Sequence, residues 1–137
     1  MAHYGMTATV PGSYDEVKER VVAALKEQGF GVLTTIDVQA TLKQKLDADM
    51  ERYEILGACN PPLAHAALET DREVGLLLPC NVVLRETEGG IVVSMLDPEA
   101  MFSLVEGLTA GALADLPTEA KGRLEKALEA VKTAPVS

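Results

Sequence analysis

Along the chain, apolar positions repeat first with a period of two and then with a period of three to four, and each switch marks an element. His3 to Val10 alternates around Thr7 and Thr9 and stops at Pro11-Gly12, which predicts a first strand. Ser13 and Glu16 have the spacing of a capping box, and Val17, Val21, Ala24 and Leu25 form one helical stripe that Gly29 ends. The β-branched run from Gly31 to Ile36 predicts a second strand. Asp37 is placed to cap a brief helix carrying Val38, Leu42 and Leu46, and the polar stretch 47–52 reads as a loop.

Tyr53 to Ala58 predicts a third strand, with Tyr53, Ile55, Gly57 and Cys59 on one face and Glu54, Leu56 and Ala58 on the other. Asn60 is a favoured N-cap and Pro61 suits the first helical position, so a helix follows with Leu63, Ala64, Ala67 and Leu68 as its apolar stripe. Asp71 to Val74 is expected to turn the chain. The run Leu76-Leu77-Leu78 meets Pro79, which cannot donate to a central ladder, so the next strand is placed from Cys80 to Glu86. Glu88-Gly89-Gly90 turns it into a hairpin with Ile91 to Leu96, and Asp97-Pro98 caps a helix holding Met101, Leu104 and Val105.

The segment LTAGALADLP after Gly107 fits a surface loop or a loose helical turn. A last helix from about Pro117 presents Leu124, Ala127, Leu128 and Val131, with Glu119 and Arg123 as an i,i+4 pair. The order is strand, helix, strand, short helix, strand, helix, hairpin and two helices. It describes one α+β domain over residues 1–137, with a core of about 3–131 and a frayed tail at 132–137.

Composition narrows the partners. The chain has 137 residues, 12 Lys and Arg against 21 Asp and Glu, and a formal net charge of -9. Such a surface repels phosphate backbones, so no nucleic-acid partner is expected. No apolar run approaches the roughly 20 residues of a membrane span, and the N-terminus lacks a basic start followed by an apolar core. A soluble, cytoplasmic protein with no membrane partner is the expectation. The two cysteines, Cys59 and Cys80, are then expected to be free thiols.

Each cysteine is followed at once by asparagine, giving Cys59-Asn60 and Cys80-Asn81, and these pairs are the main chemical feature of the chain. Cys59 precedes a helix start, where a thiolate is favoured, so it is the candidate catalytic nucleophile. The competing reading is a small buried hydrophobe, which applies with more force to Cys80, since no helix starts beside it. Asn60 is accounted for as a cap. Asn81 is not, because asparagine is disfavoured in strands and a buried amide needs partners. The prolines Pro61-Pro62 remove amides that an anion at this helix start would need. His65, one turn before Glu69, reads as a solvated rim residue or as a base. Cys59, His65 and Cys80 lack zinc-site spacing, so no metal is expected; phosphate-loop, dinucleotide and hydrolase fingerprints are absent as well. No cofactor is named by the sequence.

The run GFGVLTTIDVQATLKQKL, followed by ILGACNPPLAHAAL and GLLLPCNVV, resembles the domain-of-unknown-function 302 family of small bacterial and archaeal proteins. The likeness is close over Phe30 to Val83 and looser elsewhere, and the segment after Gly107 fits it poorly. It implies an α+β domain with a mostly antiparallel sheet and helices packed on it, similar to the TATA-box-binding-protein-like fold, assembled as a homodimer. The family's characteristic residues would be Asp37, Cys59, Asn60, Pro61, Pro79, Cys80 and Asn81. No activity accompanies the resemblance. Three readings stand. The first is a small-molecule binding or sensing protein whose ligand meets Asn60, Cys80 and Asn81 beside Cys59, with Asp37 and His65 as further candidates. The second is a thiol enzyme or redox protein using Cys59 with Cys80. The third is a structural motif at a dimer interface.

Overall fold

The computed structural model describes residues 4–103 and 115–133. Five strands form one antiparallel sheet in the order β1-β5-β4-β3-β2: β1 is Gly5–Val10, β2 Gly31–Asp37, β3 Tyr53–Cys59, β4 Cys80–Thr87 and β5 Gly90–Leu96. The helices are α1 (Tyr14–Glu27), α2 (Val38–Leu46), α3 (Pro61–Thr70), α4 (Pro98–Phe102) and α5 (Leu116–Thr133). This is the expected α+β architecture, with the strands in the expected sequence positions. His3, Leu104, Val105, the segment 108–114 and the tail 134–137 lie outside the described residues.

Alternation along the strands explains where the core lies. Leu56, Ala58, Val82, Leu84, Ile91, Val93 and Met95 point to one face, where they pack with Val17, Val21 and Leu25 of α1 and Leu124, Ala127 and Val131 of α5. At about 25 cal/mol per Å² of apolar surface, each buried Val, Leu, Ile or Met side chain among them contributes roughly 1.5–3 kcal/mol. A second, smaller cluster of Ala67, Val74 and Phe102 fastens α3 and α4 together.

Caps fall where the sequence puts them. The Ser13 hydroxyl accepts from the Glu16 amide, Asp37 from Ala40, Asn60 from Leu63 and Asp97 from Glu99. The β4–β5 hairpin turns at Gly90, whose φ of +133° and closeness to the Val10 carbonyl leave no room for a side chain.

Three expectations change. Asp71 to Val74 is part of a 3-10 helix, Arg72–Leu77, because the Asp71 side chain caps the Glu73 amide and so starts a helical turn. The apolar stripe of α2 does not reach the core, and Leu46 is 71% exposed. Its helix lies beside the edge strand β2 and packs against β3, which half-buries Val38 and Leu42 and leaves Leu46 to solvent. The leucine run is divided: Leu77 and Leu78 pack against the second cluster, while Leu76 points to solvent.

Candidate functional site

The last residue of β3, Cys59, leads directly into α3, and β4 begins at Cys80 beside it. Antiparallel pairing sets Ala58 opposite Cys80 and Gly57 opposite Asn81, so Cys59 and Cys80 are diagonal neighbours. Both thiols are free and half-buried. Together with Asn60 they border an apolar cavity between the sheet end, α3, α4 and α5, walled by Phe30, Leu63 and Phe102. Its volume of about 30 Å³ has room for a water or two rather than for a metabolite.

The helix start does not activate Cys59. Pro61 and Pro62 have no N–H, the Leu63 amide donates to Asn60 Oδ1 at 3.3 Å, and the Ala64 amide donates to the Asn60 carbonyl at 2.9 Å. No amide of the first turn is left to stabilise a thiolate. Burial instead pushes the Cys59 thiol up. Cys80 is pushed up to about 11, chiefly by burial and further by the charge of an ionised Cys59. The expected lowering of the Cys59 thiol is therefore reversed in direction.

Asn60 is 7% exposed and joins three elements. Besides capping α3, its side chain lies against the turn after α1. A Cβ added at Gly29, whose φ is +85°, would stand 3.0 Å from Asn60 Nδ2. Arg123 of α5 donates to the Gln28 carbonyl in the same turn at 3.2 Å.

Asn81 lies elsewhere. Successive strand residues face opposite sides, so Cys80 points to the core and Asn81 to the other face of the sheet. Among the described residues that face is open over β1, β5 and β4, and a groove of about 550 Å³ runs across it. Cross-strand pairing brings Tyr53 beside Arg85 and Val83 beside Ser94 and Thr7, and these side chains line the groove together with Asn81 and Leu96. The Thr7 and Ser94 hydroxyls are 3.0 Å apart and share a hydrogen bond. Gly57 has to lack a side chain, because a Cβ there would overlap the Thr34 hydroxyl and come within 2.8 Å of Pro79. The Asn81 amide and the Arg85 guanidinium have no protein partner among the described residues.

The remaining candidates stand apart from both cavities. Asp37 caps α2 at an exposed position, with Ala40 N 2.9 Å from its carboxylate. His65 Nε2 lies 3.2 Å from Glu69 on the outer side of α3, with its side chain 76% exposed. The described residues contain no group of three or more His, Cys, Asp or Glu arranged to hold a metal.

Sequence reasoning missed one polar cluster. Glu54, on the core face of β3, is buried and accepts from Lys18 Nζ at 2.8 Å. Arg52 lies 3.9 Å over the Tyr14 ring and pairs with Asp15 at 2.8 Å, while Tyr14 donates to the Leu84 carbonyl at 3.1 Å. Burial, then the neighbouring Glu54, pushes the Tyr14 hydroxyl well above its ordinary range. The signal was available: Glu54 sits at an inward position of a strand otherwise lined by Leu56 and Ala58.

Comparison with known proteins agrees with the architecture. The chain is similar, with a TM-score of 0.83 and 29% identity over 95% of its length and 99% of the other's, to a crystal structure of an uncharacterized conserved DUF302 protein from Bacillus stearothermophilus. No curated protein matches the chain, and none of its described helices is long and apolar enough to cross a membrane. The family described as domain of unknown function DUF302 matches residues 6–131, nearly the whole fold, and the chain belongs to that family.

Proposed function

We propose that this protein binds a small molecule in the groove on the open sheet face rather than in the cavity at the cysteines. The observation that carries the reading is size combined with chemistry. The groove's 550 Å³ lies within the roughly 300–1,000 Å³ of ordinary ligand sites, and its apolar floor is set with a few polar groups, as such sites are. Asn81, an exposed amide in a strand, then has a use in meeting the ligand. Pro79 and Gly57, beside it, keep that end of the groove in shape.

The thiol-enzyme reading has less support, because burial raises both thiols and, among the described residues, the cavity at Cys59 is lined by no base. The experiment is a thermal-shift screen of a metabolite library against the parent, Asn81→Ala and Cys59→Ser. A ligand at 100 times its Kd adds about 2.7 kcal/mol, or roughly 10 °C for a domain of this size. The expected result is a shift that Asn81→Ala diminishes and Cys59→Ser leaves intact. A shift lost in Cys59→Ser and kept in Asn81→Ala would move the site to the cysteines, and no shift with any compound would remove the binding function.

A further inference from the structure

Charge supplies a chemical class for the ligand. The chain carries a net charge of -9, yet among the described residues none that lines the groove is acidic, and the one cation lining it is Arg85. Arg85 is half-buried in the central strand β4 and forms no ion pair among the described residues. Elsewhere on the molecule Lys18, Lys43, Arg52, Lys121 and Arg123 all stand against carboxylates. Arg20, Lys26, Lys45 and Lys126 also form no ion pair among the described residues, but none of them lines the groove, so Arg85 is the cation that a ligand there can neutralise.

Resting on the groove reading above, we infer that the ligand is an organic carboxylate with an apolar body and a hydrogen-bonding group at its far end. A guanidinium presents a planar fork that matches a carboxylate with two parallel hydrogen bonds. One such cation balances one negative charge. A phosphate dianion would keep a second charge in the field of a molecule at -9, so the monoanion is favoured. The neighbours of Arg85 give the body its character, with Tyr53 directly across on β3, Val92 across on β5 and Val83 two positions along β4.

Length follows from the strand. Arg85 and Asn81 are four residues apart on one face, which is about 13 Å at roughly 3.3 Å per residue. The Arg85 side chain covers part of that distance. The body therefore crosses Val83, beside the Thr7 and Ser94 hydroxyls, and its distal group meets the Asn81 amide, with Leu96 and Met101 as an apolar border.

The test uses matched pairs that differ only in charge: phenylpropanoate against phenylpropanamide, and octanoate against octanamide. Each is titrated by calorimetry into the parent, Arg85→Gln and Arg85→Lys, with unliganded melting confirming the fold of each variant. A charge-assisted hydrogen bond corresponds to about 10- to 100-fold in affinity. Carboxylates are expected to bind the parent tighter than their amides by that factor. Arg85→Gln is expected to erase the difference without weakening the amides. Arg85→Lys, which keeps charge but loses the fork, is expected to fall between. Amides that bind the parent as well as carboxylates do, or a preference that survives Arg85→Gln, would overturn the anion inference while leaving the groove as a site. If neither member of either pair binds, and no neutral compound gives an Asn81-dependent shift, both inference and groove reading fall. A sedimenting dimer that Arg85→Gln splits, with no carboxylate bound, would make the face a subunit interface and overturn the inference.

Discussion

The two cysteines offer the sharpest check on the site's electrostatics, because their labelling rates report it directly. Iodoacetamide reacts with the thiolate, so the rate at a fixed pH follows the ionised fraction and the access to sulfur. With Cys80 pushed up from 9.0 to about 11, its thiolate fraction at neutral pH is lower by about 100-fold, since each pKa unit is a factor of ten. Limited access slows it further. Cys59 is also raised by burial, so it is expected to label more slowly than in the unfolded chain yet ahead of Cys80. Mass-resolved labelling at pH 7.5, with and without denaturant, measures each site. Activation by the helix start would give the same order, but here its cause is a smaller burial penalty. Cys59 labelling in the folded protein as fast as in denaturant, or faster, would refute this account and restore the thiol-enzyme reading.

Stability should respond to the same burial: the folded Cys80 thiol holds its proton to a higher pH than the unfolded one, so its contribution is complete below about pH 9 and is lost towards pH 11, by about 3 kcal/mol at most. Chemical denaturation of parent and Cys80→Ala across that window reads the difference, and a parent no more alkali-sensitive than the variant counts against a buried thiol. Asn60→Ala is expected to lose about 1–2 kcal/mol with its cap, whereas Asn81→Ala stays within about 0.5 kcal/mol of the parent; the opposite ranking in thermal melts would make Asn81 a structural residue. Lys18→Met leaves the Glu54 carboxylate with Arg52 Nη2 at 3.9 Å and the neighbouring Tyr14 hydroxyl, and should cost about 2 kcal/mol, below the 3–5 of a fully buried pair because Lys18 is part-exposed. Adding Glu54→Leu should recover most of that, and a double variant weaker than the single one would show that the carboxylate serves the fold in another way. The chain is expected to sediment as a homodimer that covers exposed Leu33 and Ile36 of the edge strand β2, so a monomer at tens of micromolar, or a dimer untouched by Ile36→Glu, would argue against that surface.

Most of the fold was legible because local signals and burial agreed. Val17, Val21, Ala24 and Leu25 share a helical stripe and all four are buried, as are Leu124, Ala127, Leu128 and Val131. Asn60 with Pro61, and Asp97 with Pro98, start helices because each pairs an acceptor side chain with a residue that has no amide to satisfy. At α2 the periodicity names the helix correctly, yet Val38, Leu42 and Leu46 repeat outside the main core. A sequence states which residues share a face, but only sheet order decides whether that face is covered. The strand order β1-β5-β4-β3-β2 puts β2 at an edge, and nothing local in the chain encodes that.

The division of the two Cys-Asn pairs follows from a simpler rule. In a strand, neighbours face opposite sides, so Cys80 and Asn81 cannot both line a pocket on one face of the sheet. Antiparallel pairing carries the same parity across to β3, where Gly57 meets Asn81 and Ala58 meets Cys80. Asn60 keeps the parity of Leu56 and Ala58 just past the end of β3, and its buried side chain caps α3. The repeated dipeptide is therefore two different devices: around Cys59, Asn60 and Cys80 it closes the junction of β3, α3 and the turn after α1, and at Asn81 it leaves an amide on the open face. Arg85, two strand periods from Asn81, keeps the same parity and comes to that same face. A search for clustered chemistry in the sequence passes over such a pair, since the residues that share a surface in a strand are those two and four apart.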